Sequence, residues 1–178
     1  MQILIGGASG VAKSTQAIQI CKNNNIVHKI GSGFIREIVR HFISQKSSPA
    51  LHEYSFGTSK EYLEPYDLLR EQSSQLVKPT LRCLERAKSE GTSIIIEGVN
   101  ILPSLYSDFK TEKKYILYVE NEKQHWEMIN GDTHSNRVIT KDQFLKVREI
   151  QESFKQDALK YNWQLVESVK EQISDFIK

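Results

Sequence analysis

The chain has 178 residues, 39% of them hydrophobic and 26% charged, which suits one soluble domain of about 100–200 residues. Its 24 Lys and Arg against 22 Asp and Glu lack the basic excess usual in a nucleic-acid-binding domain, although a local basic groove stays open. The two cysteines, Cys21 and Cys83, exclude a disulfide scaffold, no apolar run approaches the roughly 18 residues of a membrane span, and Met1 to Gly7 lacks signal-peptide character, so a cytoplasmic chain without a membrane partner is expected.

Ile3-Leu4-Ile5 is an apolar run closed by Gly6 and Gly7, and it reads as a buried strand. A helix is predicted from about Lys13 to Asn23, then a strand over Ile26–Ile30. Ile35, Ile38, Val39, Phe42 and Ile43 recur at helical spacing, and Arg36 and Arg40 fall at i, i+4 on what should be the opposite face. Ser44–Ser59, broken by Pro49 and Gly57, reads as irregular structure. A long helix is predicted from about Asp67 to Ser89, kinked or split at Pro79. Ser93–Ile96 and Tyr115–Val119 are further strands. The polar stretch from about 121 to 138 carries a turn signal at Asn130-Gly131-Asp132, and it is expected to form a short lid that excludes water. Its histidines, His125 and His134, are expected to be solvated. Thr140 and Gln143 form a capping-box pattern before a helix whose inner face carries Phe144, Val147, Ile150, Phe154, Ala158 and Tyr161. A strand over Trp163–Val166 and a helix over Val169–Ile177 close the chain. Five strands alternating with helices predict an α/β fold over residues 1–178, in three α/β/α layers around a five-stranded, mostly parallel sheet.

The strongest motif follows the first strand: Gly6-Gly7-Ala8-Ser9-Gly10-Val11-Ala12-Lys13-Ser14-Thr15. It matches the P-loop pattern G-x-x-x-x-G-K-[ST], with Ala12 in place of the second glycine. Backbone N–H groups of Gly7, Ala8, Ser9, Gly10, Val11, Ala12, Lys13, Ser14 and Thr15 would cradle nucleotide phosphates at a helix N-terminus. Lys13 would reach the β- and γ-phosphates, and the Ser14 hydroxyl would ligate Mg²⁺. Ala12 is harmless if its backbone is helical, and costs about 1 kcal/mol or more if a positive φ is required. Glu97, at the end of a buried strand, is placed to hold Mg²⁺ through water or to accept a proton.

Beyond the loop, the chain resembles the 2-phosphoglycerate kinase family of P-loop kinases. Ile35-Arg36-Glu37-Ile38-Val39-Arg40 is similar to that family's I-R-E-V-x-R helix, and Ile94 to Pro103 to its I-I-E-G-V-H-I-V-P segment. Phe144 to Trp163, with Val147-Arg148-Glu149-Ile150-Gln151, resembles its F-x-x-I-R-x-I-Q helix, and Pro49-Ala50-Leu51-His52 its P-T-L-H segment. The resemblance covers most of the chain and implies a nucleotide-kinase-like fold, ATP and Mg²⁺ as cofactors, and transfer of the γ-phosphate to a small phosphorylated hydroxy acid such as 2-phosphoglycerate. The candidate catalytic residues are Lys13, Glu97, Arg36 and Arg137, the last, as the arginine of the polar stretch, expected to counter charge on the moving phosphoryl group. Arg36 and Arg40, from their shared helix face, and His52 and Asn100, from the resemblance, are expected around the acceptor.

The departures fall on the acceptor side. Gly33 replaces the aspartate of T-D-x-I-R, which in related polynucleotide kinases is the base toward the acceptor hydroxyl. Asn100 stands where the family has His, and His125-Trp126-Glu127-Met128 lacks the arginine of H-x-x-R. Glu37 is the nearest acid, but a neighbouring helical position points about 100° away, so it would serve as base only on a rotated helix. These changes keep two other readings open: a kinase for a nucleic-acid hydroxyl, at a 5′-end or a hydroxymethyluracil base in phage DNA, and a nucleotide-binding module that transfers nothing.

Overall fold

The computed structural model describes residues 1–57, 64–131 and 139–177. Strand β1 (Gln2–Gly6) is buried at every position, as its continuous apolar run requires of a central parallel strand. It is followed by α1 (Lys13–Asn24), β2 (His28–Gly31), α2 (Ser32–Phe42), a one-turn α3 (Pro49–His52), α4 (Pro65–Ser74), α5 (Val77–Ser89) and β3 (Ile94–Glu97). After β3 come a 3₁₀ turn at Pro103–Leu105, β4 (Lys113–Tyr118), α6 (Glu122–Ile129), α7 (Lys141–Lys160), β5 (Gln164–Glu167) and a 3₁₀ turn at Ile173–Phe176. The sheet has the order β2-β3-β1-β4-β5, and every pairing is parallel. Crossovers leave β1 toward one edge and β3 toward the other, so right-handed connections lay helices on both faces. The register pairs Ile5 and Gly31 with Glu97, which aligns the ends of three strands. Among the described residues no helix is long and apolar enough to cross a membrane.

Four stretches of the chain differ from expectation: the long helix, the two polar segments taken together, the C-terminal end and α2. The long helix is broken at Gln75–Leu76 rather than at Pro79. Pro79 is the third residue of α5, where a backbone N–H has no intrahelical partner to lose. Ser44–Ser59 contains α3, and the polar stretch after β4 contains α6. The last helix is replaced by turns whose N–H groups bond to side chains: Lys170 N–H to Glu167, Glu167 N–H to Glu171, and Ile173 N–H to Gln16.

The fourth change concerns α2. It starts at the residue after β2, and Ser32 is buried against Asn100, so this anchor sets the helix's rotation. Ser32, Ile35, Arg36 and Val39 then share the inner face. Of the expected apolar positions Ile35 and Val39 do pack inward, but Ile38 and Phe42 lie in solvent, 63% and 80% exposed, as does the neighbouring Phe34. Arg36 is therefore tucked inward beside the apolar residues, not opposite them.

Candidate nucleotide and acceptor site

The loop between β1 and α1 turns through positive φ at Gly7 (137°), Gly10 (80°) and Ala12 (60°). A β-carbon at Gly10 would lie 2.6 Å from Ile129 Cβ, so α6 packs directly under the loop. Ala12 is the N-cap of α1 and sits in the left-handed region, the strained case for an alanine. Lys13 folds back along the loop, and its Nζ donates to the Ala8 carbonyl at 2.5 Å. The Ser14 hydroxyl donates to Glu97 Oε1 at 2.8 Å, and Lys29 Nζ lies 3.4 Å from the same oxygen. A hydroxyl and a carboxylate in contact at the end of a phosphate loop are hard oxygen donors, and they fit Mg²⁺, which takes one or two protein oxygens and completes its shell with phosphate and water.

His125 is a correction. It is fully buried rather than solvated, and it touches the loop from beneath. Nε2 lies 2.8 Å from the Ser9 carbonyl, and Nδ1 lies 3.3 Å from Arg148 Nη1. A carbonyl only accepts and a guanidinium only donates, so the ring must be neutral with its proton on Nε2. Burial, together with Arg148 and Lys13 nearby, lowers its pKa to about 4. Arg148 is itself fixed by the Val119 and Glu120 carbonyls. The chain Arg148–His125–Ser9 thus ties α7 through α6 to the loop. A seemingly ordinary polar stretch concealed this contact, because nothing in the local spacing shows that α6 passes under the loop.

Beside the Ser14–Glu97 pair lies a cavity of about 280 Å³ lined by Ser14, Gly31 to Phe34, Glu37 and Glu97 to Val99. Glu37 and Glu97 therefore share one cavity. The expected acceptor residues are placed otherwise. Arg36 contacts Gln72 Oε1 at 3.4 Å and Glu37 at 3.7 Å; burial first, then Arg40, lowers its pKa. Arg40 holds both Glu37 oxygens, at 2.8 and 3.2 Å. Asn100 is buried, donating to Gln72 Oε1 at 2.8 Å and Ser73 Oγ at 3.1 Å. His52 bonds the Ile43 carbonyl at 2.8 Å and does not line the cavity. Asn100 and His52 thus brace the wall with their polar atoms turned into the protein. Gln72, fully buried, completes that brace by donating to the Ala50 and Glu53 carbonyls. Arg137 and His134 lie outside the described residues. Lys123 lines a separate apolar cavity of about 520 Å³ with Trp126 and Phe144.

No family model matches the chain. The 2-phosphoglycerate kinase of Methanopyrus kandleri is 30% identical over 171 residues, covering 88% of this chain and 52% of the relative. That of Methanocaldococcus jannaschii is 33% identical over 135 residues, covering 69% and 43%. The chain thus spans about half the length of the curated relatives it matches. Among solved structures, deoxyadenosine kinase from M. mycoides with bound dATP aligns with a TM-score of 0.54 at 15% identity, over 99% of this chain and 97% of that one. Shikimate kinase from Acinetobacter baumannii in complex with shikimate aligns with a TM-score of 0.52 at 9% identity, over 93% and 82%. The chain has the fold of the P-loop nucleotide kinases, and in sequence it resembles the 2-phosphoglycerate kinases.

Proposed function

We propose that the chain is an ATP-dependent phosphotransferase that moves the γ-phosphoryl group of ATP to a hydroxyl of a small phosphorylated metabolite such as 2-phosphoglycerate. The observation that carries this reading is the Ser14–Glu97 contact at the end of a lysine-bearing phosphate loop. The names of the relatives support the acceptor. Gly7 to Thr15 bind the phosphates through backbone N–H groups, and Lys13 exchanges the Ala8 carbonyl for a phosphate oxygen. Ser14 and, through water, Glu97 would hold Mg²⁺, which would neutralise charge on the β- and γ-phosphates. The described part of the expected lid, α6, packs under the loop instead, and Arg137, outside the described residues, keeps its assignment to the transferring group. The protein's contribution is positioning and fixed charge, which is what phosphoryl transfer chiefly needs. Dependence on ATP fits a cytoplasmic location.

One observation favours a second acceptor class. Among the described residues lining the 280 Å³ cavity there is no lysine or arginine, and Phe34 stands exposed at its edge. That lining offers no counter-charge to a compact trianion inside the cavity, and Phe34 offers a face for a ring to stack on, as a 5′-end nucleoside or a hydroxymethylated base in DNA would. An acceptor screen with γ-labelled ATP decides: label on 2-phosphoglycerate supports the first class, and label on plain or hydroxymethylated DNA the second. ATP binding with no transfer to any acceptor would refute both and leave a nucleotide-binding module.

A further inference from the structure

We infer that Glu37 is the general base of this site: its carboxylate takes the proton from the acceptor hydroxyl as the new O–P bond forms. The inference rests on the kinase reading above. Of the two carboxylates on the cavity, Glu97 is committed at one oxygen to Ser14 and Lys29 and belongs to the metal side. Glu37 is left facing the acceptor volume. It sits on α2 one turn after Gly33, so the two positions share one side of the helix. At Gly33 that side is bare, because a β-carbon there would meet no atom within 4 Å. Gly33 thus leaves open space one turn before Glu37, and both residues line the cavity.

The surroundings hold Glu37 in place. Arg40 spans its two oxygens, and Arg36, on the inner face of the helix, approaches one of them at 3.7 Å. A carboxylate has about four acceptor sites, so these contacts leave room for a hydroxyl. In the step itself, the acceptor oxygen bonds to the γ-phosphorus, the bond from that phosphorus to the β–γ bridging oxygen breaks, ADP leaves with the electron pair, and the acceptor proton ends on Glu37. Arg36 and Arg40 are positioning residues in this scheme. The rotation of α2 set by Ser32 brings Glu37 to the cavity, where position counting alone turns it away.

The test uses the full chain with the acceptor found by the screen, and compares wild type with Glu37→Gln and Glu37→Gln/Gly33→Asp. Glu37→Gln should keep the fold and ATP affinity, lower kcat by about 100-fold, and flatten the acid limb of the kcat/KM profile. The Gly33→Asp change should restore at least tenfold, because it returns a carboxylate to the open space; a merely structural role for Glu37 would not be rescued from a different position. Wild-type transfer by Glu37→Gln, or a loss with an unaltered acid limb and no rescue, overturns the inference while leaving the kinase reading standing. A wild-type chain that binds ATP and Mg²⁺ but labels no acceptor refutes the kinase reading itself, and the base role falls with it.

Discussion

His125 should make the protein's stability fall with acid well before most carboxylates protonate. Its pKa is about 4 in the folded chain against 6.5 for an ordinary histidine, so between those values the unfolded chain binds a proton that the native one does not. Stability from the neutral ring is fully present above about pH 6.5 and is lost as pH falls toward 4; below that both states are charged and no more is lost. One pKa unit is worth about 1.4 kcal/mol, so linkage gives a loss of about 2 kcal/mol between pH 7 and pH 5. For a chain of this size that is about 4–8 °C in Tm. The cause is local: a protonated ring could not accept from Arg148 and would place two cations in contact without water. The control is His125→Gln, whose amide can donate to Ser9 and accept from Arg148 but does not titrate. Thermal melts of both ligand-free proteins between pH 7 and 5 should diverge, the wild type falling further by the amount above. Parallel curves would refute the buried neutral histidine, and with it the tie between α7 and the phosphate loop.

Other residues give simpler expectations. Ala12→Gly should stabilise the fold by about 0.5–1 kcal/mol, since relief of a left-handed alanine, about 1–2 kcal/mol, outweighs the unfolded-state entropy of glycine, about 0.4–1 kcal/mol; a lower urea midpoint would contradict the strain at that position. Lys13→Ala should abolish transfer while the far-ultraviolet circular dichroism stays native, and retained activity would overturn the site assignment. Gln72→Ala should cost about 1–3 kcal/mol in urea unfolding, because it leaves the buried Asn100 amide with Ser73 alone and takes the Gln72 donor from the Glu53 and Ala50 carbonyls.

The parts of the molecule that were legible in the sequence are those whose signal is local. The run Ile3-Leu4-Ile5 and the loop to Thr15 declare strand, turn and helix within a few residues of one another, and Thr140 with Gln143 forms the capping box in the structure. The parts that were hidden depend on rotation or on distant partners. The apolar spacing of Ile35, Ile38, Val39, Phe42 and Ile43 predicts one buried face, yet α2 is anchored through Ser32 to Asn100, 68 positions away, and only part of that face turns inward: Ile35 and Val39 pack on the core while Ile38 and Phe42 stay in solvent. His125 looked like a surface histidine because its partners, Ser9 and Arg148, come from other elements. Lys29 joins Glu97 only through the register of β2 on β3, which pairs Gly31 with Glu97 and puts Lys29 two residues back on the same side.

The two departures from the P-loop kinase pattern differ in kind, and the structure explains why each is tolerable. At Ala12 the residue departs from the pattern while its backbone takes the left-handed conformation that suits glycine. The loop is held by the Lys13–Ala8 bond, by Ile129 against Gly10 and by His125 on Ser9, and these contacts enforce a left-handed residue even where glycine is absent. A strain of about 1–2 kcal/mol is small beside a framework of that many contacts. At Gly33 the backbone remains ordinary helix and what changed is a functional atom set, so no framework can compensate by force. Compensation there requires another carboxylate on the same surface, and a helix offers one a single turn away, at Glu37. The geometric departure is therefore one to be read in melting curves, and the chemical one in pH profiles.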